Sequence, residues 1–158
     1  MSSINLEQPK IARELVENSG FLLARLGHAF KSRALARVEL EGFEPNHYSV
    51  LAILAEGDRQ TQGTIAEALG LDPSRLVNLL DSLEERSLIA RHRDPLDRRR
   101  HVVRITPEGI GALDRLRALA GHMADEFFAP LSEADRETFQ RLLLQLAREH
   151  DPTCVFDD

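Results

Sequence analysis

Residues 86–104, RSLIARHRDPLDRRRHVVR, restrict the fold of this chain more than any other stretch. Two short runs, LIARHR and HVVRIT, alternate or run apolar as strands do, and DPLDRRR between them holds the turn formers Pro95 and Asp97. A basic hairpin is therefore expected in a chain whose remaining periodicity is helical. The stretch holds seven arginines against two aspartates, a net of +5 in a chain of net −6, and so leaves −11 to the rest. A mostly acidic molecule that gathers its positive charge on one hairpin is suited to a polyanion, and a phosphate backbone is the commonest one.

The flanking sequence reads as helices. Over residues 9–40, Ile11, Leu15, Leu22, Leu26, Ala29 and Phe30 recur at three- and four-residue steps, which predicts one long amphipathic helix closed by Gly42. Pro45 is expected in the first turn of a second helix, running through Tyr48, Leu51 and Leu54 to Gly57. Thr61 or Thr64 opens a short helix that ends at Gly70, and Asp72-Pro73 supplies an N-cap and first position for a fourth helix reaching about Ser87. Beyond the hairpin, Thr106-Pro107 starts a helix of some five turns broken at Pro130, and Ser132 starts a last one carrying Phe139, Leu142, Leu143 and Leu146. The expected fold class is mainly α with a small β hairpin (α+β), in one domain spanning 1–158. Its parts are long helical regions at 9–41 and 106–149, a helix-turn-helix with a wing at 45–105, and an acidic tail at 150–158. The terminal helices carry apolar stripes that nothing else in the chain is large enough to cover, so a two-fold homodimer is expected.

At 158 residues and 42% hydrophobic, the chain can bury one core. Its apolar runs fall short of the roughly 20 residues that cross a bilayer, and MSSINLEQPK lacks the apolar core of a signal peptide. No membrane association and a cytoplasmic location are expected. Cys154, the single cysteine, permits neither an intrachain disulfide nor a cysteine-based zinc cluster. The six histidines show no metal-ligand spacing, and His92 and His101 are expected to face each other across the hairpin. No metal, no cofactor and no catalytic residue is expected, because neither a nucleophile elbow nor a phosphate-binding glycine loop is present and Glu84-Glu85 falls on a solvent-facing turn.

The helix ending at Leu69-Gly70-Leu71 and the next beginning at Asp72 fit a helix-turn-helix, whose second helix enters the major groove of double-stranded DNA by its N-terminal end. Leu76, Leu79, Leu80 and Leu83 form its inner stripe, so Ser74, Arg75, Val77, Asn78 and Ser82 are the candidates for base edges or phosphates. Arg75 suits guanine and Asn78 suits adenine, each in a bidentate contact. At the hairpin tip, Arg98, Arg99 and Arg100 can reach a minor groove, where narrow A·T-rich segments draw in a guanidinium. Asp97 is expected to accept hydrogen bonds within the turn or from a neighbouring arginine, fixing the tip's shape.

From Thr61 to Gly109 the sequence resembles the winged helix-turn-helix core of the MarR family of bacterial transcription regulators. The most specific part is DPLDRRRHVVRITPEG, where Asp97-x-Arg99 is followed by a strand and by Thr106-x-x-Gly109. The resemblance, which with the flanking helices covers nearly the whole chain, implies a homodimer held by its N- and C-terminal helices. It implies two winged domains on successive major grooves of a pseudo-palindromic operator, and repression relieved by a small molecule or by oxidation. It also implies that Arg99 enters the minor groove and that Asp97 orients it. Val77 and Asn78 stand where many members have a small hydroxyl residue followed by arginine, so the operator contacts should differ, with Val77 placed to touch a thymine methyl. No cysteine lies near the first long helix, where the oxidation-sensing branch has one, so a ligand-responsive or constitutive regulator remains.

In relatives the effector pocket lies between the dimerising helices and the winged domain, and anionic aromatic compounds are frequent ligands. His28, His47, Tyr48 and Arg91 are the candidates here, with Arg91 able to pair with a carboxylate at the base of the wing. The leading expectation is a sequence-specific, homodimeric DNA-binding repressor. The alternative is a winged-helix module that binds an acidic protein and never meets DNA.

Overall fold

The computed structural model describes residues 10–57 and 60–154. Residue 9 of the first expected helix and residues 155–158 of the expected acidic tail lie outside them. The first helix forms as two, α1 (Arg13–Val16) and α2 (Ser19–Leu40). The break is at Asn18, whose side chain accepts a hydrogen bond from Phe21 N at 2.9 Å and so caps α2. Asparagine competes for backbone hydrogen bonds in this way, and a caps-and-turns residue inside an apolar repeat ends a helix that periodicity alone would continue. Pro45 does not open the next helix. It lies in the turn before α3 (His47–Ala55), whose N-cap is Asn46 with φ +71°.

The helices α4 (Gln62–Leu69) and α5 (Pro73–Glu85) form where their caps lie. Thr61 and Thr64 bond reciprocally at the start of α4, the Thr61 amide donating to Thr64 Oγ1 at 2.9 Å and the Thr64 amide to Thr61 Oγ1 at 3.3 Å. Gly70 takes the left-handed conformation at its end, and Leu71 N reaches back to Ala66 O at 2.9 Å. Strands β2 (Ile89–Arg93) and β3 (His101–Ile105) are the expected hairpin, but the sheet has three strands. A short β1 (Gln60–Thr61) pairs with β3 on its other side, giving the order β1-β3-β2. Two residues are too few to leave a periodic signal. The hairpin register also differs: Arg93 lies opposite His101 and His92 opposite Val102, so the two histidines are displaced by one residue and do not face each other. The chain continues through α6 (Pro107–Phe128) and α7 (Glu133–His150), and Pro152–Cys154 forms a 3-10 turn where a plain tail was expected.

The core draws Val50, Leu51 and Leu54 from α3, Ile65 from α4, Leu76, Leu80 and Leu83 from α5, Ile89 and Val103 from the sheet, and Ala112, Leu113 and Leu116 from α6. α2 and α7 contribute no buried residue. Leu22, Leu23 and Leu26 on α2 and Leu142, Leu144 and Leu146 on α7 are exposed, while Phe30, Phe127, Phe128 and Phe139 join α2, α6 and α7 through ring contacts of 5.1–6.2 Å. Among the described residues no helix is long and apolar enough to cross a membrane.

The junction between wing and α6 leaves no room for a side chain. Thr106 caps α6 by accepting from Gly109 N at 3.0 Å, donates its own hydroxyl to Ser87 O at 2.6 Å, and sends its amide to Leu88 O at 3.1 Å. This draws Gly109 so close to the end of α5 that an added Cβ would lie 2.0 Å from Leu88 O and 2.7 Å from a side-chain carbon of Ile105. Backbone on one side and core on the other cannot both retreat. Gly109→Ala is therefore expected to destabilise the protein by at least about 1–3 kcal/mol, the usual range for overpacking. A urea denaturation curve with an unchanged midpoint would contradict it.

Candidate nucleic-acid interface

The N-terminal face of α5 is presented by a strong cap. Asp72 accepts from Ser74 N at 2.9 Å, from Arg75 N at 3.4 Å and from the Ser74 hydroxyl. These bonds, the Ser74 hydroxyl first among them, hold the Asp72 carboxyl below its ordinary pKa of 3.8. Ser74, Arg75, Val77 and Asn78 are all exposed, and the helix start therefore offers an unobstructed polar face with one apolar side chain on it. Ser82 departs from its expected place among them. Its hydroxyl donates to Glu44 Oε1 at 2.7 Å, so it braces α5 against the turn before α3.

The wing tip is a loop closed by its own carboxylates. Asp94 N donates to Arg100 O at 2.9 Å and Arg100 N to Asp97 O at 2.9 Å. The buried Asp94 carboxylate accepts from Leu96 N at 2.9 Å, and Asp97 accepts from Arg99 N at 3.1 Å. Asp97 thus bonds the backbone of Arg99, while its side-chain ion pair is with Arg100 at 3.4 Å. Arg98 and Arg99 are exposed and, among the described residues, have no carboxylate partner. The three tip arginines are accordingly unequal: Arg100 serves the shape of the loop and the other two are available to a ligand. Asp94 was not singled out by sequence reasoning. Its signal was the Asp-Pro pair at the start of the turn, a combination in which the aspartate side chain caps the loop amides.

Arg91 joins the wing to α5. Its guanidinium donates to Glu84 Oε2 at 2.8 and 2.6 Å and to Asp81 Oδ1 at 2.5 Å, and its amide donates to Glu84 Oε1 at 2.9 Å. The hydrogen bonds from Arg91 hold Glu84 below its ordinary value of 4.5. Glu84 is thus no idle carboxylate on a solvent-facing turn, and Arg91, its charge already matched by two carboxylates, is a poor receptor for a third.

The other three effector candidates are scattered. His28 is exposed on α2 and Tyr48 is exposed on α3. His47 is fully buried. Its Nδ1 accepts from Glu44 N at 3.0 Å, placing the proton of the neutral ring on Nε2, which among the described residues has no hydrogen-bond partner and stands 4.0 Å from Glu44 Oε1. It supports the turn that Ser82 and Arg86 also grip, the latter through Gly42 O at 2.9 Å and the Phe43 ring at 4.4 Å. None of the four lines the cavity of about 380 Å³ between α2 and α6, which is bordered by Phe30, Arg33, Arg37, Met123, Glu126 and Phe127. Among the described residues no group of three or more histidine, cysteine, aspartate or glutamate side chains could hold a metal ion.

Comparison with known proteins agrees with this geometry. The profile of the MarR family matches residues 41–100. A candidate transcriptional regulatory protein for the hcr operon of Thauera aromatica is 35% identical over 125 residues, covering 79% of this chain and 75% of the relative. The transcriptional repressor CouR bound to a 23-mer DNA duplex superposes with a TM-score of 0.77 at 30% identity, covering 89% of this chain and 99% of that one. CouR from Rhodococcus jostii RHA1 bound to p-coumaroyl-CoA gives 0.71 at 29% identity, covering 93% and 100%.

The buried His47 gives the brace behind α5 a dependence on pH. Burial, opposed by Glu44 and aided by Arg86, lowers its pKa below the ordinary 6.5. The unfolded chain then binds the proton more readily than the folded one, so stability is complete above 6.5 and is lost as pH falls through the window below it. Urea denaturation between about pH 7.5 and 5 should show this decline, and His47→Asn should flatten it whatever its effect at neutral pH. Equal slopes for the two proteins would exclude His47 as the cause.

Proposed function

The chain belongs to the MarR family of transcription regulators, and on that premise we propose that it is a cytoplasmic, homodimeric repressor of a pseudo-palindromic operator, released by a small anionic aromatic ligand. The observation that carries the reading is the joint presentation of two elements. One is the exposed start of α5, with Ser74, Arg75, Val77 and Asn78. The other is a wing whose Arg98 and Arg99 are uncommitted and whose base is bonded to that same helix by Arg91. An α-helix fits the major groove, and an arginine on a closed loop fits the minor groove beside it.

The exposed apolar faces of α2 and α7 support the second copy. Two such protomers would set their recognition helices about 34 Å apart for half-sites one turn of DNA apart, and a ligand that changes this separation releases the operator. A DNA-bound and a p-coumaroyl-CoA-bound form of CouR support both halves of that cycle. The ligand site belongs between α2 and α6, where Arg33 lies over the Phe127 ring at 5.6 Å and an aromatic acid would meet both charge and rings.

Binding measured on synthetic duplexes selected from a random pool tests the reading. Arg99→Ala should weaken binding and make the plot of log K against log salt shallower by about 0.9, the share of one phosphate contact. Asn78→Ala should change base preference at one position by about 1–3 kcal/mol while leaving the salt slope as it is. If neither variant differs from the parent, or if the parent selects no sequence, the hairpin serves an acidic protein partner instead. A thermal-shift series of aromatic acids and their CoA thioesters should contain a compound that both raises the unfolding midpoint and lowers operator affinity.

A further inference from the structure

The wing tip carries an apolar side chain where a turn normally has none. Leu96 is 82% exposed, between the exposed Pro95 and the half-buried Asp97. Turn positions favour glycine, asparagine, aspartate and serine, and a leucine held out in solvent gains nothing from burial in the free protein. The exposed apolar residues of α1, α2 and α7 lie on helical faces that a second copy can cover. Between residues 45 and 105 the large apolar side chains left exposed are Tyr48, Val77 and Leu96, and two of these three are on the elements that would meet DNA. Leu96 is also held firmly. Its amide is bonded to the buried Asp94 carboxylate, Pro95 restricts the backbone before it, and the loop is closed on both sides by Asp94 N to Arg100 O and Arg100 N to Asp97 O. A side chain presented from a backbone fixed in this way, with the exposed cations Arg98 and Arg99 close by in the same loop, matches the minor groove, whose walls are phosphate and whose interior accepts apolar wedges.

We propose that Leu96 is a specificity-determining residue: an apolar wedge that the wing presses between base pairs in the minor groove, so that the operator carries a readily unstacked pyrimidine–purine step beneath the wing tip. The inference rests on the DNA-binding reading above and adds to it a readout that the arginines cannot provide. Guanidinium groups sense groove width and phosphate charge, whereas a wedge senses how easily one step opens. Because leucine releases no counterions, its contribution leaves the salt dependence unchanged.

The test uses the full chain and synthetic duplexes of the selected operator that differ in the step under the wing, TA, AA or GC, with 2-aminopurine beside it. The parent should favour TA over GC by about tenfold, equivalent to about 1.4 kcal/mol, and should brighten the 2-aminopurine as the step unstacks. Leu96→Ser should lose that preference and the brightening with its salt slope intact, and Leu96→Met should keep both. If Leu96→Ser matches the parent on all three duplexes while Arg99→Ala is weakened, the wedge is overturned and the DNA-binding reading stands. If Arg99→Ala and Leu96→Ser are both indistinguishable from the parent, the two fall together.

Discussion

One guanidinium makes the helix and the wing a single body. Arg91 lies on β2, yet its hydrogen bonds run to Glu84 and Asp81 on α5, and its backbone amide is used in the same cluster. A hairpin on its own is marginal in water, and an arginine-rich hairpin adds self-repulsion to that weakness. Two carboxylates on α5 neutralise one cation at the base of the wing and fix the strand to the helix, so that the tip cations are displayed at a set distance from α5. Removing the guanidinium would leave two carboxylates one helical turn apart with their counter-charge gone, which loosens the angle between the elements before it threatens the core.

The charge pattern follows the same logic at larger scale. The acidic surplus of the chain lies away from the tip, and where carboxylates occur near the wing they are committed: Asp94 and Asp97 to the loop backbone, Glu84 and Asp81 to Arg91. Two of the tip's cations are therefore left uncompensated by the geometry of the loop. In the mixed sequence DPLDRRR the two acids hold the loop backbone, and Arg98 and Arg99 are left without a carboxylate among the described residues.

Much of this architecture was legible in the sequence because it rests on local rules. Thr61, Asp72, Thr106 and Ser132 start helices where capping residues are expected, Gly70 ends one, and the leucine stripe of α5 faces inward. What escaped was non-local or too short. A two-residue strand has no period, the break at Asn18 is invisible against an apolar repeat that continues on both sides, and one residue of hairpin register depends on the geometry of the closed loop. The polar side chains misled for a related reason. The outward face of α5 makes Ser82 a candidate for DNA contact and the family's pocket makes Arg91 and His47 candidates for an effector, but their partners Glu44, Glu84 and Asp81 lie on other elements or on the far side of a turn. Gly109 belongs to the Thr106-x-x-Gly109 part of the family signature. The close approach of the Leu88 carbonyl supplies its physical cause.

The interior of the winged half is closed by α3 to α6 and the sheet, with Val38 the one residue of α2 packed against it and none from α7. Substitutions along α7, and along α2 outside Val38, therefore leave the packing behind α5 and the wing intact. The outer helical faces and the interior of the winged half are thus free to drift in sequence at different rates.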